Sequence, residues 1–404
     1  MTEKNAKPQL RFAGFDDTWE QRKFEDIAVR SSSISSESGL PRVEYEDIIS
    51  GTGRLNKDIF AKESDKTGIV FHKGDVLYGK LRPYLQNWLL PSFNGLAVGD
   101  FWVLQPQNAD SSFLYRLIQS RQFDEVANQS TGTKMPRSDW KLVSKTEFFI
   151  PSAIGEQAAI GAYFEQLDNL ITLHQRKYDK LTNVKKSMLE KMFPKNGSNV
   201  PEIRFKGFSD AWEQRKLSDL CSLFTDGDWI EAKDQSTEGV RLVQTGNVGV
   251  TQYLDKTNNA KWISEDTFSR LKCEEIFEGD ILISRLPDPA GRACIMPNLG
   301  TKMITAVDCT IVRTLPDVNS EYLVQYLSTE RYFKEINACL AGGTRQRVSR
   351  GNLAEFDIPL PNSADEQRAI GNYFKSLDNL ITLHQRELEK LKNLKKACLE
   401  KMFV

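Results

Sequence analysis

Two stretches of this sequence combine basic forks with freedom from acids. Leu340–Arg350 carries Arg345, Arg347 and Arg350, with Thr344 after the glycines and Gln346 between Arg345 and Arg347. Val76–Gly99 carries Lys80 and Arg82 with Tyr78, Tyr84 and Trp88. An arginine guanidinium presents parallel donors that match the O6/N7 edge of guanine, and a glutamine amide matches adenine. Lysine, threonine and backbone N–H groups near glycine suit phosphates, which fix register without reading sequence. A third loop, Ser130–Arg137, offers Thr133, Lys134 and Arg137, and the strand end at Ser284-Arg285 with nearby Arg292 extends the set. From the residues alone, ordinary surface composition accounts for such arginine density better than DNA contact does. The aromatics fit a core more readily than a stacking platform, and Trp19 and Trp212 read as packing residues.

The signatures of catalysis are missing. Gly74–Leu81 matches G-x-x-x-x-G-K but ends in Leu, where a phosphate loop needs Ser or Thr for Mg²⁺. Pro83 follows almost at once, so no helix N-terminus can begin there. The segment reads instead as a strand with a basic tip. There is no G-x-S-x-G, no H-E-x-x-H, no helix-opening G-x-G-x-x-G, and no D/N-P-P-Y/F tetrapeptide of amino-methyltransferases. Three histidines, His72, His174 and His384, give little to a metal site. The six cysteines (Cys221, Cys273, Cys294, Cys309, Cys339, Cys398) all fall in the second half without C-x-x-C spacing, which predicts reduced thiols. A binder fits better than an enzyme, with no catalytic residue, no metal and no cofactor of its own.

These loops need a frame, and the frame is written twice. Pro8–Lys23 and Pro201–Lys216 agree at 11 of 16 positions; Glu156–Phe193 and Glu366–Phe403 agree at 27 of 38. Between the copies, Phe24–Ile150 and Leu217–Leu360 align only patchily. The longer copies are helical by period. Ile160, Phe164, Leu167, Ile171 and His174, and their counterparts Ile370, Phe374, Leu377, Ile381 and His384, follow a 4,3 rhythm that predicts a coiled-coil seam. Tyr163, Leu170, Leu173, Tyr373, Leu380 and Leu383 widen the apolar stripe, and Lys185 and Lys395 interrupt it with stems expected to lie along apolar surface and ammonium groups outside. Each helix would span about 55 Å. Antiparallel pairing of the two would make the molecule pseudo-twofold.

Each variable segment reads as mixed α/β in the same order. A G-D turn feeds an apolar strand (Gly74-Asp75-Val76-Leu77; Gly279-Asp280-Ile281-Leu282), a helical stretch follows (Ser112–Asn128; Ser320–Ala338), then a basic loop, then an apolar strand ending in Pro. The expected fold is α+β: two mixed α/β target-binding domains separated by an antiparallel coiled coil of two long repeated helices. The boundaries expected are 1–153 for the first domain with its short repeat, 154–193 for the first spacer helix, 194–363 for linker, second short repeat and second domain, and 364–404 for the second spacer helix. At 404 residues, with 54 Lys+Arg against 55 Asp+Glu and no apolar run near the ~20 residues of a membrane span, a cytoplasmic address is the expectation.

The layout resembles the specificity subunit of type I restriction–modification systems. The resemblance rests on the two G-D-[VI]-L strands, on Gly132-Thr133-Lys134 and Gly343-Thr344-Arg345, and on Ile-Pro strand ends leading into Glu156-Gln157 and Glu366-Gln367, each followed by I-x-x-Y-F-x-x-L-D and a long basic helix. It implies two target-recognition domains, each reading one half of a bipartite, asymmetric double-stranded DNA site. It also implies that the helices set the half-site spacing and dock two methyltransferase subunits, with motor–nuclease subunits joining the full complex. S-adenosylmethionine, ATP and Mg²⁺ would belong to those partners. Pro136 gives the first loop a different backbone from the second, which weights base reading toward Arg345, Gln346 and Arg347 over Arg137. The alternative is a coiled-coil scaffold that joins two protein-binding modules without touching DNA.

Overall fold

The computed structural model describes residues 7–62, 64–129, 135–195, 197–287, 289–341 and 346–403. The chain divides into two compact units, Met1–Gln175 with Arg386–Val404, and Arg176–Gln385. The first boundary falls inside the helix Ile154–Lys191 and the second inside the helix Ala364–Met402. Each unit therefore contains a stretch of both long helices.

In the first unit the short repeat contributes the strand Glu20–Lys23, which pairs antiparallel with Glu147–Ile150, the strand that leads into the long helix. Between these two strands lies the variable segment. Its main sheet is antiparallel throughout, in the order Ala28–Ser31, Phe101–Pro106, Val76–Gly79, Trp88–Leu89. The second unit repeats the plan. Glu213–Lys216 pairs with Asp357–Leu360, and the main sheet runs Cys221–Asp226, Cys309–Thr314, Ile281–Ser284, Ala293–Ile295. The units differ in their second four-stranded sheets. In the first unit the parallel pair Arg42–Val43 and Gly95–Ala97 is extended on the Gly95–Ala97 side by Gly68–Phe71 and Ile34–Ser35. In the second unit the parallel pair Val240–Val243 and Met303–Thr305 is extended on the Val240–Val243 side by Lys261–Ile263 and Gln235–Ser236.

The G-D motif is a turn, as its sequence suggests. Gly74 and Gly279 sit at φ +94° and +93°, where a Cβ is strained. The next residue closes the turn: Asp75 Oδ2 accepts from His72 N–H at 2.8 Å and Asp280 Oδ2 from Phe277 N–H at 2.9 Å. The apolar run after it is the central strand, so the phosphate-loop reading of Gly74–Leu81 is excluded by the backbone itself. The single helical stretch expected after it is two helices in each unit. Ser120 and Thr329 cap new helices at Arg121–Ala127 and Glu330–Ala338 and so break the run.

The repeated residues at the start of each long helix bind it to its unit. Arg11 forks onto Glu156 (Nε–Oε1 2.6 Å, Nη2–Oε2 2.8 Å), and Arg204 onto Glu366 (2.6 and 2.7 Å). Both glutamates are 1% exposed. The neighbouring glutamine joins two more segments. Gln157 accepts from Asp110 N–H and donates to the Pro151 carbonyl; Gln367 accepts from Asn319 N–H and donates to the Pro361 carbonyl. Asp110 and Asn319 are themselves N-caps of the helices Ser111–Leu117 and Ser320–Tyr326. Gly161 and Gly371 let the long helix pass close to those caps. A Cβ on Gly371 would lie 2.9 Å from Asn319 Oδ1 and from Tyr322 N, and one on Gly161 would collide with Ser112.

Ile160, Phe164 and Leu167, on the expected helix–helix seam, are buried in the core of the first unit, which holds Cys398 and Met402 of the second long helix together with Trp19, Phe113 and Phe148. Ile370, Phe374 and Leu377 are likewise buried in the second unit with Met192, Phe193 and Tyr322. Ile171, His174, Ile381 and His384 are half-buried. Leu170, Leu173, Leu380 and Leu383 are exposed, so they do not widen a buried stripe. The two helical stretches run antiparallel within each unit. In the first, Tyr163 meets Cys398 at 3.6 Å and Asp168 meets Lys395 at 2.7 Å; in the second, Lys185 meets Asp378 at 2.5 Å and the Phe193 ring stacks on Phe374. The seam lysines are therefore not free at the surface. Lys185 and Lys395 are 13% and 16% exposed and paired with aspartates. Burial lowers the Lys395 pKa, and Asp168 opposes that shift.

All six cysteines are free thiols. Burial pushes Cys221 and Cys294 up to about 12 and Cys309 to about 11, which makes them inert at neutral pH.

Arg11→Ala or Arg204→Ala leaves a buried glutamate without its cation. Each should cost about 3–5 kcal/mol, read as a lower denaturant midpoint for the unit concerned. An unchanged midpoint would show that the pair is not what holds the helix to its unit.

Candidate nucleic-acid interface

In the first unit the basic site is built where the central strand Val76–Gly79 runs out. Lys80 N–H donates to the Asp100 carbonyl (2.9 Å), and the Lys80 carbonyl accepts from Ser138 N–H (2.9 Å). Arg82 N–H donates to the Pro136 carbonyl at 2.7 Å, and Leu81 bridges to Arg137. The loop Lys80–Leu85 is thereby fastened to Pro136–Ser138. Tyr45 fastens it from beneath: its hydroxyl donates to the Asp100 carbonyl (2.7 Å) and accepts from Leu81 N–H (2.9 Å). Arg82 and Gln86 hold positive φ on either side of a short 3₁₀ turn, Pro83–Leu85. That turn presents Tyr84, 58% exposed, beside exposed Arg82, while Met135 and Arg137 stand exposed on the adjoining segment.

An acid, Asp100, enters this basic site. Asp100 Oδ2 accepts from Arg137 Nη2 at 3.0 Å, and its Oδ1 lies 3.5 Å from Lys80 Nζ. The hydrogen bond from Arg137 holds the Asp100 carboxyl below its usual 3.8, against a burial effect that pushes it up.

The second unit has the same backbone plan. Arg285 N–H donates to the Asp308 carbonyl (2.9 Å), and the Arg285 carbonyl accepts from Val348 N–H (3.1 Å). Asp100 and Asp308 each stand immediately before the second strand of the main sheet; Arg137 and Arg347 each stand two residues before the N-cap of the following helix. Arg347 Nη1 lies 3.6 Å from Asp308 Oδ1. So Arg137 and Arg347 occupy equivalent places despite Pro136. The different backbone expected of the first loop leaves Arg137 where the second loop has Arg347.

Several expected contact residues are not at the surface. Ser284 is fully buried, because it is the last residue of a central strand and pairs with Cys309. Arg285, the counterpart of Lys80, turns inward to the Val307 carbonyl (2.6 Å) and Asp226 (3.4 Å). Arg292 spends its guanidinium on the carbonyls of Val248, Thr245, Leu286, Pro287 and Pro289 and so knits two loops together. Gln346 is exposed beside Arg347. Thr133, Lys134, Thr344 and Arg345 lie outside the described residues.

Asp100 and Asp308 were not singled out from the sequence. The shared order of strands offers the signal, since each aspartate directly precedes an apolar strand at the same place in its half. Trp229 was also missed. It is 70% exposed, and its neighbour Asp228 bonds through its backbone to Thr305 and Val307, next to Asp308. Among the described residues, no three His, Cys, Asp or Glu side chains cluster as metal ligands would, and no helix is long and apolar enough to cross a membrane.

Comparison with known proteins gives a consistent result. A family profile described as "Type I restriction modification DNA specificity domain" matches residues 16–183 and again 209–393. The chain is 23% identical over 283 residues to the type I restriction enzyme MjaVIII specificity subunit of Methanocaldococcus jannaschii, covering 67% of this chain and 64% of that one. It is 26% identical over 204 residues to the EcoDI specificity subunit of Escherichia coli, covering 47% of this chain and 46% of that one. The match thus spans under two thirds of the length of either relative. A solved S subunit of a type I restriction–modification system from M. genitalium shares the fold, with a TM-score of 0.61 at 14% identity over 98% of this chain and 99% of that one.

A carboxyl whose pKa is lowered in the folded state adds stability above its unfolded value and loses it as pH falls through the folded value. Asp100 should therefore titrate below 3.8 in the intact chain and move back up in Arg137→Ala, followed by NMR of its side-chain carboxyl. A midpoint indifferent to Arg137 would show that the ion pair does not form in solution.

Proposed function

The chain belongs to the type I restriction–modification DNA specificity family, and from that membership we propose that it is the non-catalytic reader of a restriction–modification complex. Each unit reads one half of a bipartite DNA site. One observation carries this reading: the same backbone scaffold presents Lys80, Asp100 and Arg137 in one unit and Arg285, Asp308 and Arg347 in the other, within segments whose sequences differ. One scaffold bearing two sets of side chains suits two unlike half-sites. The exposed groups match the task. Arg82, Tyr84 and Arg137, and Gln346, Arg347 and Trp229, are donors and aromatic faces of the kind that meet phosphates and base edges.

The repeated helices support two further roles. Leu170 with Leu173, and Leu380 with Leu383, are exposed apolar pairs at matching positions of the two copies. A duplicated apolar patch suits the docking of two like subunits, here the methyltransferases. Residues held in register by Lys185–Asp378 and Lys395–Asp168 suit a spacer that sets half-site separation. The methyl donor, ATP and Mg²⁺ then belong to the partner subunits, and the motor–nuclease subunits complete the assembly.

Equilibrium binding to a randomised duplex library, with the methyltransferase subunit present, tests the reading. Two fixed base clusters separated by a constant gap are expected. Arg347→Ala should weaken one cluster by about 1–3 kcal/mol and leave the other intact. Binding without base preference would favour the scaffold reading, in which the two units hold proteins instead of DNA.

A further inference from the structure

Asp100 and Asp308 are out of place on a surface meant for phosphates. A carboxylate there repels the nucleic-acid backbone and cancels part of the positive field that draws it in. Their contribution to stability does not explain them either, because partly exposed ion pairs add about 0–1 kcal/mol. Asp100 is 28% exposed and Asp308 32%. Yet the arrangement occurs in both units. In each, the aspartate's own carbonyl is fixed by the N–H of the residue that follows the central strand, and its carboxylate meets an arginine two residues before a helix cap. Among the described residues, Lys80 and Arg137 are the partners of the Asp100 carboxylate, and Arg347 is the partner of Asp308.

A fork that reads a base edge has to be held still before it arrives. A free arginine carries rotamer entropy that it loses on contact, and its donors point in many directions. A carboxylate that takes one edge of the guanidinium fixes the plane and leaves other N–H groups to face outward. We propose that Asp100 and Asp308 are positioning residues for base readout, which aim Arg137 and Arg347 at an adjacent pair of acceptors on a base edge. The O6/N7 edge of guanine is the pair that fits such a fork. The inference rests on the DNA-reading assignment and adds to it the residues that set its selectivity. The two sites are not equal. Arg137 is hydrogen-bonded at 3.0 Å and shares its aspartate with Lys80, whereas Arg347 stands at 3.6 Å and the Arg285 guanidinium is turned away. The first unit therefore depends more on its carboxylate.

Asp100→Asn and Asp308→Asn test this in the complex with the methyltransferase subunit. Binding is measured against the preferred duplex and against duplexes altered at each base pair, at several salt concentrations. The asparagine keeps the backbone bonds and removes only the charge. Asp100→Asn is expected to lower discrimination at one base pair of one half-site by about tenfold, equivalent to about 1.4 kcal/mol. The other half-site should be untouched, and binding to unrelated DNA should hold or strengthen. Asp308→Asn should give a smaller loss confined to the opposite half-site. Asp100→Glu should restore part of the selectivity, which a loss of folding would not allow. Full selectivity in both asparagine variants, or a loss spread evenly over both half-sites, overturns the inference while leaving DNA reading intact. A parent complex with no base preference overturns the DNA-reading assignment as well.

Discussion

A glutamate buried at the first turn of a long helix governs this architecture. An ionised carboxylate taken out of water is tolerated only with a cation and full hydrogen bonding. Glu156 receives both from Arg11, and Glu366 from Arg204. The arginine comes from the short copy and the glutamate from the long one, so the two repeated elements are bound to each other across the whole variable segment. Gln157 and Gln367, with Gly161 and Gly371, extend the joint to the helix caps at Asp110 and Asn319. None of these residues has freedom to drift alone, because each substitution would strand a partner. The segments between them carry no such obligation, and there the two halves diverge.

The same logic runs down the helices. Asp168 answers both Lys395 and Arg116, while Asp378 answers Lys185, Gln325 and Thr251. Each aspartate lies between the other long helix and the globular part of its unit. Three elements are thereby held in one register by one side chain. On such a frame the exposed loops at Arg82–Tyr84 and Gln346–Arg347 are free to differ without loosening the core, which is how a rigid scaffold hosts variable recognition.

The sequence made the frame legible because near-identity and a 3.5-residue rhythm need no coordinates. The G-D turn was legible too, since only glycine sits easily at φ +94° and a following apolar run has to be buried. What the rhythm could not say was which body the apolar stripe faces. Ile160, Phe164 and Leu167 satisfy a heptad, and they share one core both with Cys398 and Met402 of the other long helix and with Trp19, Phe113 and Phe148 of the globular part. Nor could residue type separate Arg292, folded onto five carbonyls, from Arg347 at the surface. An arginine's fate depends on which carbonyls the backbone brings within reach. Asp100 and Asp308 are acids beside basic loops, so residue type does not mark them, whereas the shared strand order aligns them directly.

In the proposed function one repeated frame carries two interchangeable readers. Replacing Leu217–Leu360 by a second copy of Phe24–Ile150 keeps the repeated residues Arg204, Glu366, Gln367 and Gly371 in place and makes the two variable segments identical. The modified bases would then be sequenced in a host that supplies the partner subunits. The expected target has two halves that are the same half-site. A target that keeps its original second half would contradict the proposed function.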